Sequence, residues 1–171
     1  MHRLAAGQVE HLAPLYSRWR SKVMALCYGM TGNGTDAADL VHDVFLRVVR
    51  YRQTFRGDAA FGSWLYTMAR RVCLDHLDRD KQHRRALGEL QPVVQEVRPA
   101  RDEDRIARLR RAFESLRSEQ REILVLHRVH GLKYREIAEL WDSNEGAVKV
   151  RAHRALNELR EHFRRLERDK P

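Results

Sequence analysis

Cysteine is scarce in this chain of 171 residues: Cys27 and Cys73 are the only two. They form no CxxC pair, which leaves no disulfide framework and no zinc finger and favours a reducing compartment. Long apolar runs are missing as well. Nowhere do about 18 apolar residues follow one another, and the opening stretch MHRLAAGQVEHLAPLY has neither an apolar h-region nor a cleavage site, so a cytoplasmic protein without membrane insertion is expected. No strand candidate of useful length is found either, and the expected fold class is all-α.

Charge, by contrast, is abundant. With 43% hydrophobic and 33% charged residues, the chain has enough apolar positions to fold, which argues against wholesale disorder. Its net charge of +9 favours a polyanionic partner, because Lys and Arg that neutralise phosphates release condensed counterions. A chain of this length forms one compact domain or two small ones, each with a modest core.

The distribution of charge points to two. Residues 1–85 carry 14 basic and 8 acidic groups, residues 86–104 carry 2 and 5, and residues 105–171 carry 17 and 11. The acidic strip LGELQPVVQEVRPARDED holds Pro92 and Pro99 and no sustained apolar period, the marks of a flexible linker. Two small helical domains, 1–85 and 105–171, joined by the linker 86–104, are therefore expected.

In the first domain three helical patterns run at roughly 8–30, 35–53 and 60–82, broken by MTGNGT and RGD. In the second helix Ala37, Leu40, Val41, Val44 and Val48 form an apolar stripe, with Asp36 the expected N-cap. Asp39, His42, Asp43 and Leu46 fall on a different, partly exposed face. In the third helix Phe61, Trp64, Leu65, Met68 and Val72 share one side, while Tyr66, Arg70, Arg71 and Arg79 lie wholly or partly off it. Aromatic rings beside arginines can stack unpaired bases and follow a phosphate backbone.

The second domain reads as four helices near 105–116, 119–130, 133–141 and 144–166. In HRVHGLKYREIAELWDSNEGAVKVRAHRA, Gly131 ends one helix, Ile137 and Ala138 turn inward, Ser143 is the expected cap of the last helix, and Val148 is its inner face. This is a helix-turn-helix pattern: the small Ala138 lets two helices cross closely, and the start of the last helix presents Lys149, Val150, His153 and Arg154 to a major groove. Glu145 would oppose phosphates there unless it reads a base. Tyr134 and Arg135, at the start of the preceding helix, would touch phosphates and set register.

Together these segments resemble the extracytoplasmic-function (ECF) sigma factors, small two-domain members of the bacterial sigma-70 family, over nearly the whole chain. DAADLVHDVFLRVVR is similar to the family's helix that grips the clamp helices of the polymerase β′ subunit, and FGSWLYTMARRVCLDHLDR to its promoter-melting helix. LRSEQREILVLHRVHGLKYREIAELWDSNEGAVKVRAHRAL is similar to its -35-reading domain. The resemblance implies a factor that binds core RNA polymerase at the β′ clamp helices and β flap, directs it to bipartite promoters, and helps separate the strands. Such a factor touches duplex and single-stranded promoter DNA, is regulated by an anti-sigma factor, carries no cofactor and is not an enzyme.

Carried over to this sequence, the resemblance assigns polymerase binding to Asp39, His42, Asp43 and Leu46. It assigns the -10 element to Phe55, Arg56, Asp58, Tyr66, Arg70 and Arg71. The -35 element falls to Tyr134, Arg135, Glu145, Lys149, Val150, Arg151, His153 and Arg154. Ala38, His42, Arg71, Arg117, Ala147 and Val150 depart from the residues usual in the family. The acidic linker is expected to lie in the basic channel that otherwise holds nascent RNA.

Three other readings compete. The His42-Asp43 doublet, with Asp36, Asp39 and His76, would suit a divalent metal as in HD-type phosphohydrolases, but no further His and Asp stand in a recognisable order. Cys27, Cys73, His127 and His130 are scattered as ordinary helix residues are, and no metal is assigned. A conventional helix-turn-helix regulator binding an operator is the stronger rival; it has no need of an aromatic, arginine-rich surface for unstacked bases.

Overall fold

The computed structural model describes residues 12–57, 60–86 and 105–168. Seven α-helices and no strand occur among them: α1 Leu12–Thr31, α2 Gly34–Arg50, α3 Phe61–Ala86, α4 Arg105–Glu114, α5 Ser118–Leu124, α6 Tyr134–Leu140 and α7 Glu145–Arg168. Asp58 and nearly all of the 86–104 linker lie outside the described residues.

Helices α1 to α3 pack as a three-helix module. Gly32, at φ 74°, ends α1 in the left-handed region that glycine enters without steric cost. The cap of α2 is Asn33, not the expected Asp36: Asn33 Oδ1 accepts from the Thr35 amide at 2.9 Å. Asn33 has the extended backbone a cap requires, which places Asp36 in the first turn of the helix. The apolar stripe is buried as expected, with Phe45 added to it. A short 3-10 turn, Arg52–Thr54, takes up the end of the second pattern.

The second module folds around α7. Its helix-turn-helix forms where the sequence placed it, with Ile137, Ala138 and Val148 all buried and Gly131 at φ 72°. Again the cap differs. Asn144 Oδ1, instead of Ser143, accepts from the Ala147 amide at 2.8 Å, while the Ser143 amide bonds back to Ala138 O. Between α5 and Gly131 the chain winds as a π-helix, Val125–Val129, with His130 N bonded to Val125 O five residues earlier.

The two modules pack directly against each other, α1 across α5 and α3 against α6. The crossing is close at Gly29, where a Cβ would stand 2.9 Å from Val125 Cγ2. One continuous apolar core results, running from Leu26, Cys27 and Met30 to Ile123, Leu124 and Val125.

Candidate nucleic-acid interface

On α2, turns that bury Leu40, Val41 and Val44 leave Asp39, His42, Asp43 and Leu46 outward, and Leu46 is 55% exposed. Leu46 is thus an exposed apolar side chain among charged neighbours of both signs. A groove continues it towards α3, lined by Asp43, Leu46, Arg47, Arg50, Asp75 and Arg79, with Arg47 and Asp75 paired at 3.0 Å across the two helices. Arg47, Arg50 and Asp75 were not singled out in the sequence, because their neighbourhood depends on how α2 and α3 pack.

Asp36 does not join Asp39. It lies with Asp80 around His76, whose Nε2 is 3.6 Å from Asp36 and 3.5 Å from Asp80. The ring thus stands between α2 and α3, and the three side chains are the one group among the described residues close enough together to share a cation.

The residues assigned to the -10 element are divided. Arg56 and Arg71 are exposed. Phe55 is buried, packed edge-on against Phe61 and Trp64. Tyr66 was expected on an open face, but it is only 3% exposed, with Trp19 of α1 packed edge-on against it at 5.9 Å and His130 of the second module stacked on it at 4.8 Å. Burial pushes the Tyr66 hydroxyl up to about 12 and the His130 ring down to about 4, the latter reinforced by the Lys22 ammonium. Arg70 is also engaged across the modules: its Nε bonds Glu122 Oε1 at 2.8 Å.

That Glu122 carboxylate is 2% exposed and accepts a second bond from Trp141 Nε1 at 2.8 Å. Desolvation raises its pKa, while Arg70 and Trp141 pull the other way. The neighbouring Arg121 is 8% exposed and bonds the α1 carbonyls of Gly29 and Met30 as well as Leu116 O in its own module. Tyr28 completes the seam through a hydrogen bond to Glu114.

On α7 the geometry is open. Lys149, Val150, Arg151, His153 and Arg154 are all exposed, whereas Val148, Ala152 and Ala155 are buried. Lys149 pairs with Glu145 at 2.7 Å, which holds the Glu145 carboxyl below its usual range and offsets its repulsion of phosphates. Arg151 pairs with Glu119 at 3.3 Å and lies over the Trp141 ring. At the start of α6, Arg135 is exposed, and the half-buried Tyr134 ring stacks on His127 at 4.3 Å.

Comparison with known proteins matches this division. Residues 15–83 match the family Sigma-70 region 2 and residues 106–159 match Sigma-70, region 4. The chain is 32% identical to the RNA polymerase sigma factor CarQ of Myxococcus xanthus, over 98% of this chain and 97% of that protein. It is 34% identical to the ECF RNA polymerase sigma factor SigM of Mycobacterium tuberculosis, over 90% and 78%. In fold it is similar to the sigma factor RpoE of Bartonella quintana in complex with the anti-sigma factor NepR, with a TM-score of 0.72, 20% identity, and coverage of 96% of this chain and 98% of that one. CnrH in complex with the cytosolic domain of CnrY gives a TM-score of 0.69 at 21% identity, over 99% and 96%. Two family matches in the order region 2 then region 4, together with relatives aligned along nearly their whole length, make this chain a sigma-70 family member, a small sigma factor of the ECF type.

Proposed function

We propose that this sigma factor holds core RNA polymerase by the α2 face of Asp39, His42, Asp43 and Leu46 and reads the -35 duplex with α7. The observation that carries the reading is the sidedness of α7: Lys149, Val150, Arg151, His153 and Arg154 face outward over a buried spine of Val148, Ala152 and Ala155. Tyr134 and Arg135 rest on phosphates and set the register. Phe55, Arg56, Asp58, Tyr66, Arg70 and Arg71 serve the -10 element, where aromatic rings stack unpaired bases and arginines follow the strand.

The domains in this reading are residues 1–85 for polymerase and the -10 element and 105–171 for the -35 element, with 86–104 as an acidic linker along the RNA channel. The chain contributes binding and strand capture and leaves the chemistry to polymerase, so it is not an enzyme. It works in the cytoplasm; among the described residues no helix is long and apolar enough to cross a membrane. Its regulator is an anti-sigma factor, as the solved relatives in complex with such proteins suggest. A conventional operator-binding regulator is not favoured, since the region 2 match spans residues 15–83.

The test is run-off transcription with bacterial core polymerase on pooled promoter fragments, with and without the protein. Discrete transcripts that depend on the protein are expected. Their absence, with retention of duplex DNA by the protein alone, would return the operator-binding reading.

A further inference from the structure

We infer that Asp36, His76 and Asp80 form a binding site for a divalent cation of the zinc class, which fastens the start of α2 to α3. The inference stands apart from the functional reading, since it needs only the chain and the metal.

Two helices make the site. His76 and Asp80 stand four residues apart on α3, the spacing that puts two side chains on one side of a helix, and Asp36 reaches them from the first turn of α2. His76 Nε2 is 3.6 Å from Asp36 Oδ2 and 3.5 Å from Asp80 Oδ2. Both separations exceed the length of about 2.7–3.2 Å usual for an N–H···O hydrogen bond. They match the spacing of ligands around one ion: atoms bonded to zinc at about 2.0–2.2 Å in tetrahedral geometry stand roughly 3.3–3.6 Å from one another. The three ligand atoms all fall within 4.8 Å of one another, and both carboxylates are partly exposed, with room to turn inward.

A second observation points the same way. The His76 Nε2 atom is shut off from solvent and has no hydrogen-bond partner among the described residues. A buried ring nitrogen without a partner costs free energy, and a cation satisfies it together with both carboxylates. One imidazole and two carboxylates suit a borderline ion such as zinc, whereas magnesium and calcium favour oxygen alone. Three protein ligands leave a fourth position for water. Neither His42 nor Asp43 belongs to the group, so this is not the HD-type arrangement that their doublet would make.

The ion has structural work to do. In the last turn of α2, Arg47 pairs with Asp75 of α3; with the cation at Asp36, α2 is held to α3 at both of its ends. The stretch between carries Asp39, His42, Asp43 and Leu46, and a ligand that binds only the folded form stabilises it by mass action.

The test is calorimetric titration of the full-length chain with zinc chloride, after treatment with EDTA and its removal. One equivalent should bind, and affinity should fall at least about tenfold in Asp80→Asn and in His76→Gln, the least that even outer partners of a metal usually give. Asp80 is partly exposed, so its variant keeps the fold, which circular dichroism checks. Millimolar magnesium should not displace the zinc. Zinc should also raise the melting temperature of the wild type by more than that of either variant. Because the chain has nine histidines, uptake that is undiminished in both variants would place the metal elsewhere and overturn the inference, as would no saturable uptake at all. Uptake that leaves the wild-type melting temperature unmoved would overturn the fastening of α2 to α3.

Discussion

Arg121 Nε donates to the Gly29 carbonyl at 2.6 Å, reaching from the first turn of α5 to the end of α1 in the other module. Its Nη2 bonds the Met30 carbonyl at 3.1 Å, so one guanidinium serves two of the carbonyls that a helix C-terminus leaves without intrahelical partners. A cation at that end also meets the negative pole of the helix dipole. Burial lowers the Arg121 pKa, and the field of Tyr28 and Glu114 raises it in part.

Replacing that residue should loosen the whole molecule. Arg121→Met keeps the aliphatic stem and deletes the charged hydrogen bonds, and a loss of roughly 3 kcal/mol is expected in urea unfolding followed by circular dichroism. Amide exchange should rise at residues 28–32, the end of α1 that Arg121 holds. A midpoint within experimental scatter of wild type would show that the contact is incidental.

Acid should weaken the contact between the modules through His130. Its ring is held near 4, below its ordinary 6.5, by burial and by Lys22 of α1, with Tyr66 of α3 stacked on it and neutral in that range. A base whose folded pKa is lowered takes up its proton on release, so its stabilising contribution is whole above about 6.5 and declines as the pH falls towards 4. Glu122, raised by burial, acts with the opposite sign. The quantity to measure is therefore the difference between wild type and His130→Phe. Wild type should lose stability relative to the variant between pH 6.5 and pH 4, and parallel profiles would refute the assignment.

Arg154 projects from the exposed side of α7, and Arg154→Ala should cost about 1–3 kcal/mol in -35 binding and relax the preference at one position. Arg135→Ala, at the position proposed to meet a phosphate, should weaken all sequences alike. Selection from randomised -35 elements separates the two outcomes: an unchanged preference in the Arg154 variant removes that residue from base reading.

The α2 face should be separable from the fold. Asp39 and Asp43 are exposed, so the double variant Asp39→Arg, Asp43→Arg should shift stability by no more than about 0.5 kcal/mol per site, while affinity for core polymerase falls. Fluorescence titration of labelled protein with core enzyme measures this. Undiminished binding would move the docking surface elsewhere, with the groove around Arg47, Arg50 and Arg79 the first place to look.

Much of the fold was legible because its determinants are local. The spacing of Ala37, Leu40, Val41, Val44 and Val48 fixes which side of α2 is buried, and Gly131, Ala138 and Val148 fix the helix-turn-helix. The caps were off by one to three residues because Asn33, Thr35 and Asp36, and likewise Ser143 and Asn144, are all competent cap residues; packing selects among them. Tyr66 was misplaced for a different reason. Its cover comes from other elements, Trp19 of α1 and His130 from 64 residues further along the chain, and no period within α3 can register it. Arg121 and Glu122 were not singled out in the sequence, because their burial depends on partners in the other module.

The π-helical stretch Val125–Val129 has a further meaning. A five-residue repeat where four would do is, in effect, an inserted residue absorbed without breaking the helix. Deleting one residue there would restore ordinary winding and swing everything beyond it by about 100°. His130 would leave Tyr66, and α7 would point to a new azimuth with its own sequence unchanged. The direction of α7 is thus set by chain length in the preceding helix, so an indel at residues 125–129 would re-aim it more drastically than any substitution on α7.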